Sequence, residues 1–243
     1  MSGLAHIQLV LVAVVVIAAL GLVGWKVYDN NSGSIPSTGI NKETQDKCMT
    51  EVNDTLFCKF TGVFANVGDY KTTVNTTDQK GTSSVLELAN DSNGDSSMVV
   101  KQNGKEQGSI VVYGGVTYFK DPTAADGAWF KYGTNDTGKP ETVDLKKEFL
   151  KGDFKGDNGQ KLEYKKIGTE ACGNLTCYKY QIIDSQKPAE TGFIWFDTKE
   201  FLMRRVTAND GKGTSSEMTV TYESVSISMP SPTKDIPSTD TSQ

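Results

Sequence analysis

The run Leu4–Trp25 restricts this chain more than any other feature. Of its 22 residues 18 are hydrophobic, and only His6 and Gln8 are clearly polar. As a helix it would span roughly 33 Å, enough to cross the hydrocarbon core of a bilayer. Leu9–Val23 has no polar stripe, so it does not read as a helix lying on a water-soluble core. It does not read as a cleaved signal either. No Lys or Arg precedes it, and Leu20 is followed by Gly-Leu-Val-Gly-Trp rather than an A-x-A-like site. Cys48, the first cysteine, follows Gln-Asp-Lys, so a lipoprotein signal is missing too. The sequence predicts an uncleaved single-pass anchor over residues 1–28, with Trp25 and Tyr28 at the membrane interface.

The rest of the chain divides simply. Residues 29–39 (DNNSGSIPSTG) read as a flexible linker, 40–229 as one extracytoplasmic domain, and 230–243 (PSPTKDIPSTDTSQ) as a disordered tail. Charge does not orient the anchor, because the α-amino group and Lys26 lie on opposite sides. The cysteines do. Cys48, Cys58, Cys172 and Cys177 have spacings poor for zinc and good for disulfides, which places the domain outside the cytoplasm and the N-terminus inside. Three pairings are possible, and locality favours Cys48–Cys58 with Cys172–Cys177. C-x-x-C is absent, so the cysteines read as structural rather than redox-active.

Within the domain, Asn41–Leu56 is a helix candidate, with Cys48 on it and Cys58 at the start of the first strand. A second helix is expected from Pro140, with Leu145 and Phe149 as an i,i+4 apolar pair. The remainder has the two-residue period of strands. Leu86 and Leu88 alternate with Val85 and Glu87, Ile110 and Val112 lead into the turn Gly114-Gly115, and Val116 and Tyr118 lead out of it. Met218, Val220 and Tyr222 alternate likewise, and Val225, Ile227 and Met229 continue one residue out of phase, suggesting a bulge near Ser224. Strands and helices do not alternate, so a parallel sheet is excluded. The expected fold class is mainly β (α+β): a curved antiparallel sheet or half-open β-barrel, an N-terminal helix and one internal helix, after one transmembrane helix.

Composition narrows the function. With 25 basic against 30 acidic residues and a net charge of −5, no cationic surplus exists to neutralise nucleic-acid phosphates. The one histidine, His6, lies in the anchor, which removes Ser-His-Asp triads, Cys-His dyads and multi-histidine metal sites. Asp91-Ser-Asn-Gly-Asp95 lacks the twelve-residue calcium-loop pattern and reads as a solvated turn. The expectation is a protein that is not an enzyme and carries no cofactor. The aromatic residues are more informative: Trp129-Phe-Lys-Tyr132 and Phe193-Ile-Trp-Phe196 are apolar on both faces of a strand, which demands cover on both. That cover is ordinary core packing, a second layer or an apolar ligand. The candidate cavity lining is Leu86, Leu88, Val112, Tyr118, Trp129, Phe193 and Trp195.

Tyr113-Gly-Gly-Val-Thr-Tyr118, Gly127-Ala-Trp-Phe-Lys-Tyr132, Ile194–Lys199, Leu202–Val206 and Val220–Val225 resemble the hairpins of LolA-like and LppX/LprG-like lipoproteins, over residues 41–229. The resemblance implies a half-open antiparallel barrel wrapped over helices, with a cavity for the acyl chains of a lipid or lipoprotein. The missing lipobox departs from that pattern and implies a tethered protein rather than a shuttling one. A structural or adhesive surface module with a filled core is the alternative.

Overall fold

The computed structural model describes residues 39–132, 146, 150, 154–155 and 160–235 of the 243. The anchor and all of the linker except Gly39 lie outside the described residues, as does most of the helix expected from Pro140, of which Lys146 and Leu150 are described and helical. No helix among the described residues is long and apolar enough to cross a membrane.

The N-terminal helix is two. Helix α1 is Lys42–Glu51 and α2 is Thr55–Ala65. The chain breaks between them at Asn53, whose φ of 60° no helix tolerates, and Asp54 then caps α2 by accepting from Phe57 N–H at 2.9 Å. Asn41 caps α1 in the same way, accepting from Thr44 N–H at 3.0 Å. Cys58 is therefore in a helix, not a strand, and the Cys48–Cys58 disulfide ties α1 to α2. The helices approach closely at Gly62, where a Cβ would stand 2.7 Å from Ile40 Cγ2.

Among the described residues twelve strands make one curved sheet that does not close. In chain order they are β1 Tyr70–Thr77, β2 Ser83–Asn90, β3 Ser96–Gln102, β4 Lys105–Tyr113, β5 Val116–Lys120 and β6 Trp129–Tyr132. The second half is β7 Leu162–Cys172, β8 Leu175–Asp184, β9 Thr191–Asp197, β10 Met203–Asn209, β11 Ser215–Thr221 and β12 Thr233–Asp235. The spatial order, β12-β6-β5-β4-β3-β2-β1-β11-β10-β9-β8-β7, shows two meanders, β1–β6 and β7–β11, joined along the single seam of β1 against β11. All pairings are antiparallel except β12 with β6.

The Gly114-Gly115 turn joins β4 to β5 with both glycines at positive φ, as a two-residue hairpin requires. Gly173 does the same between β7 and β8, beside the second disulfide, Cys172–Cys177. Two expectations differ. Strand β11 ends at Thr221, and Val225–Met229 is not a strand; Met229 is exposed, because no neighbouring strand pairs there and Val225 N–H is held instead by Asp69 Oδ2 at 3.3 Å. The stretch read as a tail also contains structure. Thr233–Asp235 pair with Trp129–Lys131, fastened by Lys234 Nζ to Asp126 Oδ2 at 2.7 Å.

Candidate functional site

One face of the sheet is apolar, and α1 and α2 pack on it. Phe57 is fully buried at its centre, with ring centroids 4.3 Å from Tyr164, 5.5 Å from Tyr180 and 6.4 Å from Phe196. Phe60 stacks on Phe196 at 4.6 Å. The space between α2 and strands β7–β9 is therefore filled by rings. Asp54 joins the two layers, since its Oδ1 accepts from both Phe57 N–H and the Tyr180 hydroxyl, the latter at 3.0 Å. Burial pushes the Tyr164 phenol above its ordinary value; burial and then the Asp54 carboxylate do the same to Tyr180.

The same inner face continues across β2–β5. Leu86 and Leu88 alternate inward, and register sets Leu86 opposite Val100, Leu88 opposite Met98, Met98 opposite Ile110 and Ile110 opposite Phe119. All six are buried and belong to the one hydrophobic cluster. Val112 shares this face at its margin and is half-buried.

The other four candidate lining residues are not on this face. Phe193 and Trp195 alternate with the inward Ile194 and Phe196 and point outward; Tyr118 and Trp129 alternate with the inward Phe119 and Phe130. The candidate set is thus split by the sheet, three residues inside and four outside, and does not converge on one cavity. A two-residue period identifies opposite faces without saying which of them the helices cover.

The outer cover of β9 is ionic. Lys179 Nζ lies 4.9 Å from the ring centroids of both Phe193 and Trp195, and the Arg205 guanidinium lies 4.8 Å from Trp195. The Trp195 indole donates to Glu170 Oε1 at 2.6 Å. This bond, with Lys179 beside it, holds the Glu170 carboxyl below the usual carboxylate range. Trp195 is only 3% exposed as a result. Cations over rings thus supply the second cover, for which the sequence left core packing, a second layer and a ligand open.

Beyond Phe193, toward the β1–β2 and β10–β11 turns, the outer face opens into a groove of about 400 Å³ lined by Asn75, Thr77, Phe193, Thr207 and Glu217 among others. Sequence reasoning missed it. Its polar residues form no motif along the chain and are assembled only by strand register. Among the described residues no group of three or more His, Cys, Asp or Glu could hold a metal.

The fold defines a broad class, an unclosed antiparallel sheet over a helical pair. No family model matches the chain, and no curated protein matches it. Among solved structures it is similar to the Mycobacterium tuberculosis lipoprotein LppX, at 15% identity and a TM-score of 0.42 over 77% of this chain and 100% of that one. The Pseudomonas aeruginosa MucA/MucB complex matches at 11% identity and a TM-score of 0.40, over 73% and 55%. A LolA-superfamily protein from Nitrosomonas europaea matches at 8% and 0.27, over 76% and 92%. All three likenesses are at low identity and with loose superposition.

Proposed function

We propose that this is a membrane-tethered binding module of the bacterial envelope, without catalytic activity, that holds an apolar or acylated ligand against the inner face of β2–β5. One observation carries the reading. The inner face presents Leu86, Leu88, Met98, Val100, Ile110 and Phe119 as one apolar surface, while the rings of α2 engage β7–β9. All six are already at most 5% exposed, so an acyl chain would enter by displacing the apolar side chains that now cover them, and would meet no hydrogen-bonding group on these six. The absence of histidine outside the anchor speaks for binding rather than catalysis. Two disulfides speak for an extracytoplasmic setting.

The filled aromatic cluster under α2 favours a second reading, an adhesive or structural module with no internal ligand. One experiment separates them. The full chain, purified from its own membrane, is extracted with organic solvent and the extract is analysed by mass spectrometry. The binding reading expects a stoichiometric lipid or acylated species, and expects Val112→Asp, which puts a charge at the half-buried margin of the inner face, to lose most of it while still folding. A clean extract from a stably folded wild-type chain refutes that reading and leaves the surface module.

A further inference from the structure

The groove on the outer face is a site in its own right, and its chemistry differs from that of the inner face. It is built by register on four adjacent strands. Asn75, Glu217, Thr207 and Phe193 stand in one row across β1, β11, β10 and β9. Thr77, Ser215, Asn209 and Thr191 stand in the next row across the same strands. With neighbouring strands about 4.8 Å apart and successive outward residues about 7 Å apart, the two rows cover about 14 Å by 7 Å.

Three properties define what would fit. First, the side chains of Asn75, Thr77, Thr191, Thr207 and Ser215 line the groove with no side-chain hydrogen bond to any described residue, so their hydroxyl and amide groups are offered to solvent. Second, the lining is electrically balanced: Glu217 is its one ionised residue, and Arg205 Nη2 meets it at 3.0 Å. A charged ligand would gain no partner there. Third, the floor has one aromatic ring, Phe193, with Trp195 at 6.0 Å and the Lys179 ammonium over one of its faces at 4.9 Å. A single ring among hydroxyls is too little apolar surface for a protein hot spot, which needs a desolvated cluster. It is also too polar for an acyl chain.

From these features the geometry points to a neutral saccharide as the occupant, its C–H face on the side of the Phe193 ring turned away from Lys179 and its hydroxyls replacing water on the threonine, serine and asparagine side chains. The site lies on the opposite face from the apolar surface of β2–β5 and does not depend on whether that surface holds a ligand.

The test uses the full chain in a zwitterionic detergent without a sugar headgroup, with maltotriose and triacetylchitotriose as probes. Saturation-transfer NMR is expected to show transfer from protein aromatic protons to at least one of them, with a dissociation constant on the order of 1 mM. Phe193→Ala is expected to weaken that binding by about tenfold, equivalent to 1.4 kcal/mol, and Phe193→Tyr to retain it. Thr207→Val, which keeps the side-chain shape and removes one hydroxyl, is expected to weaken it with no change in the melting curve, separating loss of binding from loss of fold. No transfer to either sugar overturns the proposal. So does binding that Phe193→Ala and Thr207→Val both leave unchanged.

Discussion

Asp54 offers a quantitative test of how the helical pair is locked to the sheet. Its Oδ1 accepts the Phe57 amide at 2.9 Å, which caps α2, and the Tyr180 hydroxyl at 3.0 Å, which reaches across from β8. Tyr180 is fully buried, and the half-buried Asp54 carboxylate is the acceptor its hydroxyl meets. Asp54→Ala therefore removes a cap, at about 1 kcal/mol, and strands a buried hydroxyl, at about 1–3 kcal/mol. The expected loss is about 2–4 kcal/mol, and most of the second part should vanish if the hydroxyl is removed as well. The double variant Asp54→Ala/Tyr180→Phe is thus expected to be more stable than Asp54→Ala alone, with a coupling energy of about 1–2 kcal/mol. Asp54→Asn keeps an acceptor oxygen and a good cap, and should stay within about 0.5 kcal/mol of the wild type. Urea unfolding followed by circular dichroism, with both disulfides intact, measures the wild type, these three variants and Tyr180→Phe alone. Equal m-values license the comparison. Additive single-site losses, with no rescue by Tyr180→Phe, would refute the claim that the carboxylate joins the two layers.

Three further outcomes rest on the same geometry. Gly62→Ala puts a methyl 2.7 Å from Ile40 Cγ2 and 3.1 Å from the Asn41 carbonyl, and should destabilise by about 1–3 kcal/mol in the same assay, with the loss confined to the α1–α2 contact. Asp78, Asp210 and Glu170 are held below their usual values of 3.8 and 4.5, the first two by backbone amides in their turns and the third by the Trp195 indole. A depressed carboxyl contributes stability that is complete above the unfolded value and lost as pH falls through the folded one, so calorimetric Tm should hold down to about pH 5 and fall below about pH 4; Asp78→Asn with Asp210→Asn should flatten that fall. Replacing Cys48 and Cys58 by Ala opens a loop with a sequence separation of 10 and should cost about 2.5–3 kcal/mol in denaturant, against about 2 kcal/mol for Cys172 and Cys177, separated by 5.

Much of the sheet was legible because turns and cysteines carry local constraints. Gly114-Gly115 and Gly173 are glycines because the chain needs positive φ there, and both disulfides join the locally nearest partners. Helix α2 was not legible. Thr-Leu-Phe-Cys-Lys-Phe-Thr-Gly-Val-Phe is rich in aromatic and β-branched residues that suit a strand, and its helicity comes from the Asp54 cap and from burial against the sheet. The two faces of the sheet could not be told apart in sequence for a related reason. Trp195 and Phe193 looked like lining because they are large and apolar, yet Lys179 and Arg205, distant in sequence, cover them from outside. Strand β12 was hidden because three residues in a polar segment carry no periodicity.

The seam between the two meanders has a consequence for biogenesis. Within each meander every strand pairs with one made just before or just after it, but β1 must wait for β11, and the Thr76–Ser216 contact across them is separated by 140 residues. At about 5–20 residues per second that interval lasts roughly 7–30 s of synthesis. During it β1 is an open edge, Val74 and its inward neighbours lack their partners, and α1 and α2 are already made. The rate at which a newly made molecule becomes resistant to proteolysis is thus set by arrival of its last antiparallel strand, and protection should appear in one late step rather than hairpin by hairpin.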